Sequence, residues 1–447
     1  MTVARMTVAL STVLLLGAGL AFADPPASPS SGTTASTSPS PSSTPSPSST
    51  PGSSSTPSPA EPTTGAPVPA LDTPGPGPVF VESSLGKLTL SGYAEGFYQW
   101  NFNRPPSGIT NYRGFDNRHN SFTIANAAID AQYEKSGVTA RLALQVGHTP
   151  NTYYLAEPSS RADLSTSVVG STDAATWRYI QQALIGYKVP LGRGLLIQGG
   201  VFLSPIGPES LLVKDNWTYS RSNLFFNLPF YHTGVRLTQQ LSEAWSATLG
   251  VVNGWNSVVD NNDEKSLYFH LYFNRPDRLQ FSLLYFTGVE RNPLDSTRSW
   301  RHLFDAWTTF YFGNRFAFTL QANVGFEPEQ DNFASWLAGA TYVRVRIVRW
   351  LTLAARGDVF WERKPSSFAS PNYPIFFAPS GMTWLASGTS TLEFGAIPGL
   401  LLRLEYRHDH SDADIFFAAP TSGTFTSGRD TSRNLQDTIT IGAVAWF

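Results

Sequence analysis

Residues 435–447 read LQDTITIGAVAWF, and their alternation decides the fold. Counting back from Phe447, every second residue is apolar: Ala445, Ala443, Ile441 and Ile439. The intervening set, Trp446, Val444, Gly442, Thr440, Thr438 and Gln436, is small or polar along most of its length. A period of two with one apolar and one polar face marks a β-strand, and this one is long enough to cross a bilayer. It stops on an aromatic residue. In a soluble protein it would be an edge strand with an exposed hydrophobic face, which natural chains avoid. The expectation is a closed sheet whose apolar face meets lipid.

Composition narrows the function classes. The chain has 447 residues, a formal net charge of -2, no cysteine and 13% aromatic residues. A near-neutral balance excludes the strongly basic face that a nucleic-acid partner would require. The lack of cysteine excludes disulfides, thiolate metal sites and a cysteine nucleophile. The length fits either several soluble domains or one large barrel.

Residues 1–23 read as a secretory signal: Arg5 is the basic start, residues 8–20 are apolar, and Ala21-Phe22-Ala23 is the cleavage pattern. Residues 24–84 follow as a Ser/Thr/Pro-rich segment that buries too little apolar surface to order itself. They are expected to be a disordered periplasmic tether, kept extended by proline. Nothing later approaches the ~18 consecutive apolar residues of a spanning helix, so a membrane location requires a barrel.

From residue 85 to 447 one theme repeats, an alternating strand and then a connection. Phe316–Phe326 shows it clearly, with Phe316, Phe318, Leu320, Ala322, Val324 and Phe326 set against Ala317, Thr319, Gln321, Asn323 and Gly325. About sixteen such segments are predicted, near 88–103, 120–134, 138–149, 176–189, 195–204, 223–239, 244–254, 266–274, 278–289, 301–312, 315–326, 334–347, 351–361, 382–397, 400–409 and 435–447. Connections after even strands are tight, such as Lys135-Ser136-Gly137, Gly313-Asn314 and Pro398-Gly399. Those after odd strands are generally long, including 104–119, 150–175, 205–222, 362–381 and 409–434. Short turns at one rim and long loops at the other predict an all-β, transmembrane, antiparallel up-and-down barrel, with both termini in the periplasm. Sixteen strands is the size at which an aqueous interior remains.

Two stretches carry a family resemblance: SGYAEGFYQWNFNRP (91–105) with its sequel RGFDNRHNSFTIANAAIDAQYE (113–134), and PIGPESLLVKDNWTYSRSNLFFNLPFYHTGVRL (205–237). Both resemble the OmpL-like putative beta-barrel porin family of Gram-negative bacteria, and the likeness covers the barrel but not the tether. It implies an outer-membrane porin whose C-terminal strand, ending at Phe447, is read by the barrel-assembly machinery. It implies no catalytic residue and no defined substrate.

The lipid-averse phase of the strands carries both signs of charge. Arg141, Arg178, Lys188, Arg236, Arg344, Arg346, Arg356, Arg403 and Arg407 fall in it, as do Glu95, Asp130, Glu134, Asp358, Glu393 and Glu405. A cation turned to mid-membrane lipid would cost ~2–4 kcal/mol, so these side chains are expected to point inward. Most would pair as a lattice bracing the wall, and the remainder would give a weak ion preference. Residues 205–222 are the candidate constriction loop. They combine Glu209, Lys214, Asp215 and Arg221 with Leu211, Leu212 and Trp217, apolar groups that need a surface to pack on.

Metal and enzyme readings are weak. His408-Asp409-His410-Ser411-Asp412-Ala413-Asp414 has ligand types close together, but at a strand end running into a loop. Asp260–Glu264 lacks the glycine turn of a calcium loop. There is no GxSxG elbow, no HExxH pair and no phosphate-cradling glycine loop. The expected partners are outer-membrane lipids and small hydrophilic solutes, with no cofactor and no metal. A homo-oligomer and a cell-wall contact through the tether are compatible with the sequence. The rivals are a substrate-specific channel with an aromatic track through Tyr93, Tyr268, Tyr272 and Phe360, and a structural or adhesive anchor without transport.

Overall fold

The computed structural model describes residues 77–154, 177–276, 278–290, 298–329, 332–363, 383–420 and 430–447. The signal peptide and most of the tether lie outside the described residues.

The strands are β1 (Val79–Ser83), β2 (Gly86–Asn101), β3 (Ser121–Lys135), β4 (Val138–Val146), β5 (Ile180–Val189), β6 (Leu195–Leu203), β7 (Tyr231–Gln240) and β8 (Trp245–Val252). There follow β9 (Ser266–Arg275), β10 (Leu279–Val289), β11 (Trp300–Phe312), β12 (Phe316–Glu329), β13 (Asn332–Val348) and β14 (Leu351–Arg363). The last are β15 (Trp384–Ile397), β16 (Leu400–Ser411), β17 (Phe416–Ala418), β18 (Thr431–Arg433) and β19 (Leu435–Trp446). Among the described residues two short α-helices, α1 (His148–Tyr153) and α2 (Asn223–Phe226), sit in connections. No helix among the described residues is long and apolar enough to cross a membrane.

Strands β2 to β16 pair antiparallel in chain order, and β19 joins β16 to β2, so sixteen strands close into a cylinder. The closing strand is the one that announced the fold. Its register runs from Thr438 opposite Asn101 to Trp446 opposite Tyr93, and Phe447 exchanges two backbone hydrogen bonds with Gly92, at 3.1 and 3.0 Å. Closure removes the free edge that would otherwise template aggregation.

The predicted alternation holds. Exposed apolar side chains cover the outside, among them Phe122, Ile124, Ile129, Leu337, Leu402, Leu404 and Ile441, while Gln99, Asn126, Gln198, Thr319 and Thr440 are buried inside. Tight turns link β3 to β4, β5 to β6, β7 to β8, β11 to β12, β13 to β14 and β15 to β16 at one rim. The other rim has the long loops with one departure: β12 and β13 pair out to Glu329 opposite Asn332, leaving a two-residue connection.

Several boundaries depart from expectation. The strand predicted over 138–149 ends at Val146, and its last residues begin α1 at His148. The strand predicted from residue 223 begins at Tyr231, because residues 223–226 form α2, N-capped by Ser222 accepting from the Phe225 amide. Arg178 precedes β5 and belongs to the loop. Residues 79–83, placed by sequence in the tether, form β1 and pair with the first residues of β2.

Candidate channel constriction

The inner wall mixes neutral polar groups with charges of both signs. Along β4 to β12 its buried groups include the amides and hydroxyls of Gln145, Gln182, Gln198, Thr238, Thr248, Ser282, Thr309, Thr319 and Gln321, together with Arg236, Asp305 and the Arg301–Glu327 pair. Along β13 to β19 strand register lines charged residues up in rows. One runs Arg346, Thr352, Glu393, Arg403, Gly442, and the next Arg344, Ala354, Thr391, Glu405, Thr440. A third runs Tyr342, Arg356, Thr389, Arg407, Thr438, and a fourth Ala340, Asp358, Ser387, Asp409, Gln436. Because side chains on one face recur every second residue, Arg356 lies above Asp358 and Arg407 above Asp409. Those pairs close at 3.1 and 2.7 Å.

The connection between β6 and β7, residues 204–230, lies against these rows. Arg356 Nη1 donates to Glu209 Oε1 (3.0 Å), Thr218 Oγ1 (2.9 Å) and the Ser220 carbonyl (2.6 Å), and Nη2 donates to the Arg221 carbonyl (3.1 Å). Arg403 donates to the carbonyls of Val213 (2.8 Å) and Asn216 (2.5 Å) and to Glu393 (2.6 Å). Arg407 donates to the Arg221 carbonyl (2.6 Å) and Asn223 Oδ1 (3.0 Å). The carboxylates take the amides. Glu405 accepts from Tyr219 N (2.5 Å) and Ser220 N (3.0 Å), Asp358 from Asn223 N (3.0 Å), Glu95 from Val213 N (3.3 Å), and Asp305 from Gly207 N (3.2 Å). A buried charge is tolerable only when its hydrogen-bonding capacity is used, so wall and loop need each other. The Tyr219 ring also rests over Gly442, where an added Cβ would fall 2.3 Å from it.

The remaining predicted residues fall into three groups. Arg141 pairs with Asp130 and Lys188 with Glu134, both at 2.7 Å, and Arg344 reaches Glu393 at 2.7 Å. Arg236 donates to Gln198 Oε1 (2.9 Å) and lies over the Phe202 ring, while Arg346 stands in the first charged row. Arg178 instead bonds Asn151 (2.9 Å) and the Tyr179 hydroxyl (2.8 Å), away from the wall lattice. In the loop, Glu209, Trp217 and Arg221 are buried. Lys214 and Asp215 pair at 2.7 Å with side chains 29% and 27% exposed.

The loop between β2 and β3, residues 102–120, also folds inward, which sequence reading missed. Gln99 Nε2 donates to the Asp116 carbonyl (2.6 Å), Arg113 donates to Thr438 Oγ1 (3.2 Å) and pairs with Asp116, and Arg113 lies 3.6 Å from Asp409. Phe115 packs edge-on against Phe225, Phe226 and Phe230, and Arg221 lies over its ring. Gly114 sits beneath Phe226, where a Cβ would come within 2.0 Å of the ring. The available signal was an aromatic between Arg113 and Asp116 in a loop otherwise poor in apolar residues. Asp409 was left out of the inward set because it stood at the bound shared by the predicted strand 400–409 and the loop 409–434, although it continues the inward phase of Arg407.

Among the predicted aromatic track, Tyr268 and Phe360 are buried in one cluster with Phe202, Trp255 and Trp336, so they pack rather than line a path. The candidate metal motif is split between two faces. His408 points outward and bonds Asp437 at 2.8 Å, while Asp409 points inward to Arg407. No group of three metal-binding side chains occurs among the described residues.

Residues 87–447 match the family described as putative beta-barrel porin-2, OmpL-like. The chain belongs to this porin family. Among solved structures, the porin is similar to the outer-membrane expressed OmpT of Vibrio cholerae, with a TM-score of 0.50 and 10% identity over 83% of this chain and 100% of that one. It is also similar to an anion-selective porin from Comamonas acidovorans, with a TM-score of 0.50 and 9% identity over 80% and 99% of the two chains. At such identity the likeness is one of fold. A search of curated proteins gives no match. By family the protein is an outer-membrane porin.

Proposed function

We propose that this porin passes small hydrophilic solutes and ions by passive diffusion, with the 205–222 loop as its narrowest point. The supporting observation is the lattice that joins that loop to the wall through Arg356, Arg403, Arg407 and Glu405. A loop clamped by several buried guanidinium groups is a fixed constriction and not a lid resting on the rim. Since each guanidinium faces a carboxylate, the lattice carries little net field, and ion preference should be weak.

On the same reading residues 1–23 are a cleaved signal, both termini are periplasmic, and the strand ending at Phe447 is what the assembly machinery recognises. Single-channel recording in planar bilayers tests the proposal. The full-length mature protein should give current, and removing residues 211–219 should raise unit conductance at least twofold. No current in either would sink the channel reading, and unchanged conductance would sink the constriction.

A further inference from the structure

On the lipid-facing side, the outward residues of β12, β13 and β14 form a groove of about 730 Å³. Strand register explains it. Ser335 stands between Phe326 and Arg363, and one step nearer mid-membrane Leu337 stands between Val324 and Trp361. A small hydroxyl side chain flanked by a ring and a guanidinium leaves a hollow, which Phe333 bounds toward the rim. The outward phase of β12 is apolar from Phe316 through Phe318, Leu320, Ala322 and Val324 to Phe326. At a rise of about 3.3 Å per residue and a tilt of about 40°, that stretch covers about 25 Å of the membrane normal, the height of the apolar band. The groove therefore opens where hydrocarbon gives way to headgroups. The two-residue connection between β12 and β13 is too short to fold back over it.

Polarity runs along the groove. Leu337, Trp361 and Phe326 are 55%, 48% and 37% exposed and offer their surface to hydrocarbon. Arg363 closes the end nearer the rim. Its guanidinium lies 5.3 Å from the Phe333 ring centroid, and no carboxylate among the described residues pairs with it. Glu362, its chain neighbour, is buried on the inner side of the wall. A guanidinium at the edge of hydrocarbon with its donors open calls for an anion. The Ser335 hydroxyl, directly opposite it in the register, supplies one more donor. We propose that this groove binds one anionic lipid of the surrounding leaflet, with its phosphate on Arg363 and Ser335 and an acyl chain laid along Phe326, Leu337 and Trp361. Apolar toward mid-membrane and cationic toward the rim is the complement of such a lipid. The planar guanidinium can take a phosphate through two parallel hydrogen bonds. The apolar outer face of a second copy would cover the rings but strip water from Arg363 without neutralising it.

The test uses the mature porin in a neutral maltoside detergent, stripped of lipid. It is titrated with palmitoyl-oleoyl phosphatidylglycerol or the matching phosphatidylcholine, and native mass spectrometry counts the bound lipid. The first phosphatidylglycerol should bind at least fivefold more tightly than phosphatidylcholine. Arg363→Gln should abolish that preference, whereas Arg315→Gln, at the tight-turn rim, should keep it. Ser335→Trp fills the floor of the groove and should weaken retention of both lipids at least threefold. Should that variant fold poorly, Trp361→Ala removes a wall of the groove without adding bulk and makes the same prediction. Equal affinity for the two lipids in the unaltered protein overturns the proposal, as does an equal loss in Arg363→Gln and Arg315→Gln. A Ser335→Trp protein that changes oligomeric state but retains lipid as before also overturns it, and makes the groove a contact between copies.

Discussion

At the scale of single residues, function depends on how completely buried charges are satisfied. Arg356 illustrates this: one side chain holds Glu209, Asp358, Thr218, Thr389 and two loop carbonyls. Removing one member of a buried pair costs about 3–5 kcal/mol because its partner stays charged and desolvated. Arg356→Ala should therefore release the loop without opening the barrel. The expected record is flickering conductance with unchanged heat resistance of the folded barrel on gels, and a steady wild-type trace would refute it. Gly442 makes the complementary case. Gly442→Leu puts bulk where the Tyr219 ring lies, so the loop tip must rise from β19. Protease susceptibility near residue 214 should increase several-fold, whereas Gly357→Ala, where nothing lies near, should leave it unchanged.

At the scale of elements, the two inserted loops are held differently. The β6–β7 loop is tied to the wall by charge-assisted hydrogen bonds, but the β2–β3 loop leans on it through Phe115 and on the wall through Arg113 and Asp116. Its backbone is unusual as well, with left-handed φ values at Arg104 (51°), Tyr112 (57°) and Asn120 (51°). Phe115→Ala removes a buried aromatic worth about 3–5 kcal/mol of packing. Hydrogen exchange should rise across 108–118 and remain low across 205–222, and equal loosening of both would show that they are one unit.

The same loop carries a pH dependence. Burial raises the Asp116 carboxyl pKa, but the Arg113 guanidinium outweighs it and holds the group below the usual carboxylate range. A depressed pKa stabilises docking above the unperturbed value of about 3.9, and that stability is lost as pH falls through the folded value. Exchange protection of 108–118 should thus be flat from neutral pH to about 5 and drop in stronger acid. Asp116→Asn should abolish the drop.

At the scale of the whole molecule, closure depends on β19 meeting β2. The β1 strand pairs only with the first residues of β2, Gly86 to Leu90, below the β2–β19 register that begins at Tyr93. A mature protein lacking residues 24–84 should refold into the same barrel, with thermal unfolding within a few degrees of the intact chain. Failure to close would place β1 among the elements the seam requires.

The strands, their number and the side each residue faces were legible because the membrane imposes a period-two code that local sequence must obey. Arg344, Arg403 and Glu405 could be set inward from that code alone, since lipid excludes charge. What the code could not show was where an inward charge ends. Arg403 meets Val213 and Asn216 across 190 and 187 residues of chain, and nothing local to either stretch encodes that meeting. Phe115 reads as an ordinary loop aromatic until α2 supplies its pocket. Arg178 was misplaced because alternation does not mark where a strand stops and its loop begins. The sequence by itself determined a closed, lipid-facing cylinder, because solvation acts on each residue separately. Only the tertiary structure decided which wall charges hold the 205–222 loop and that a second loop, 102–120, folds in beside it, because those facts depend on contacts between segments distant in the chain.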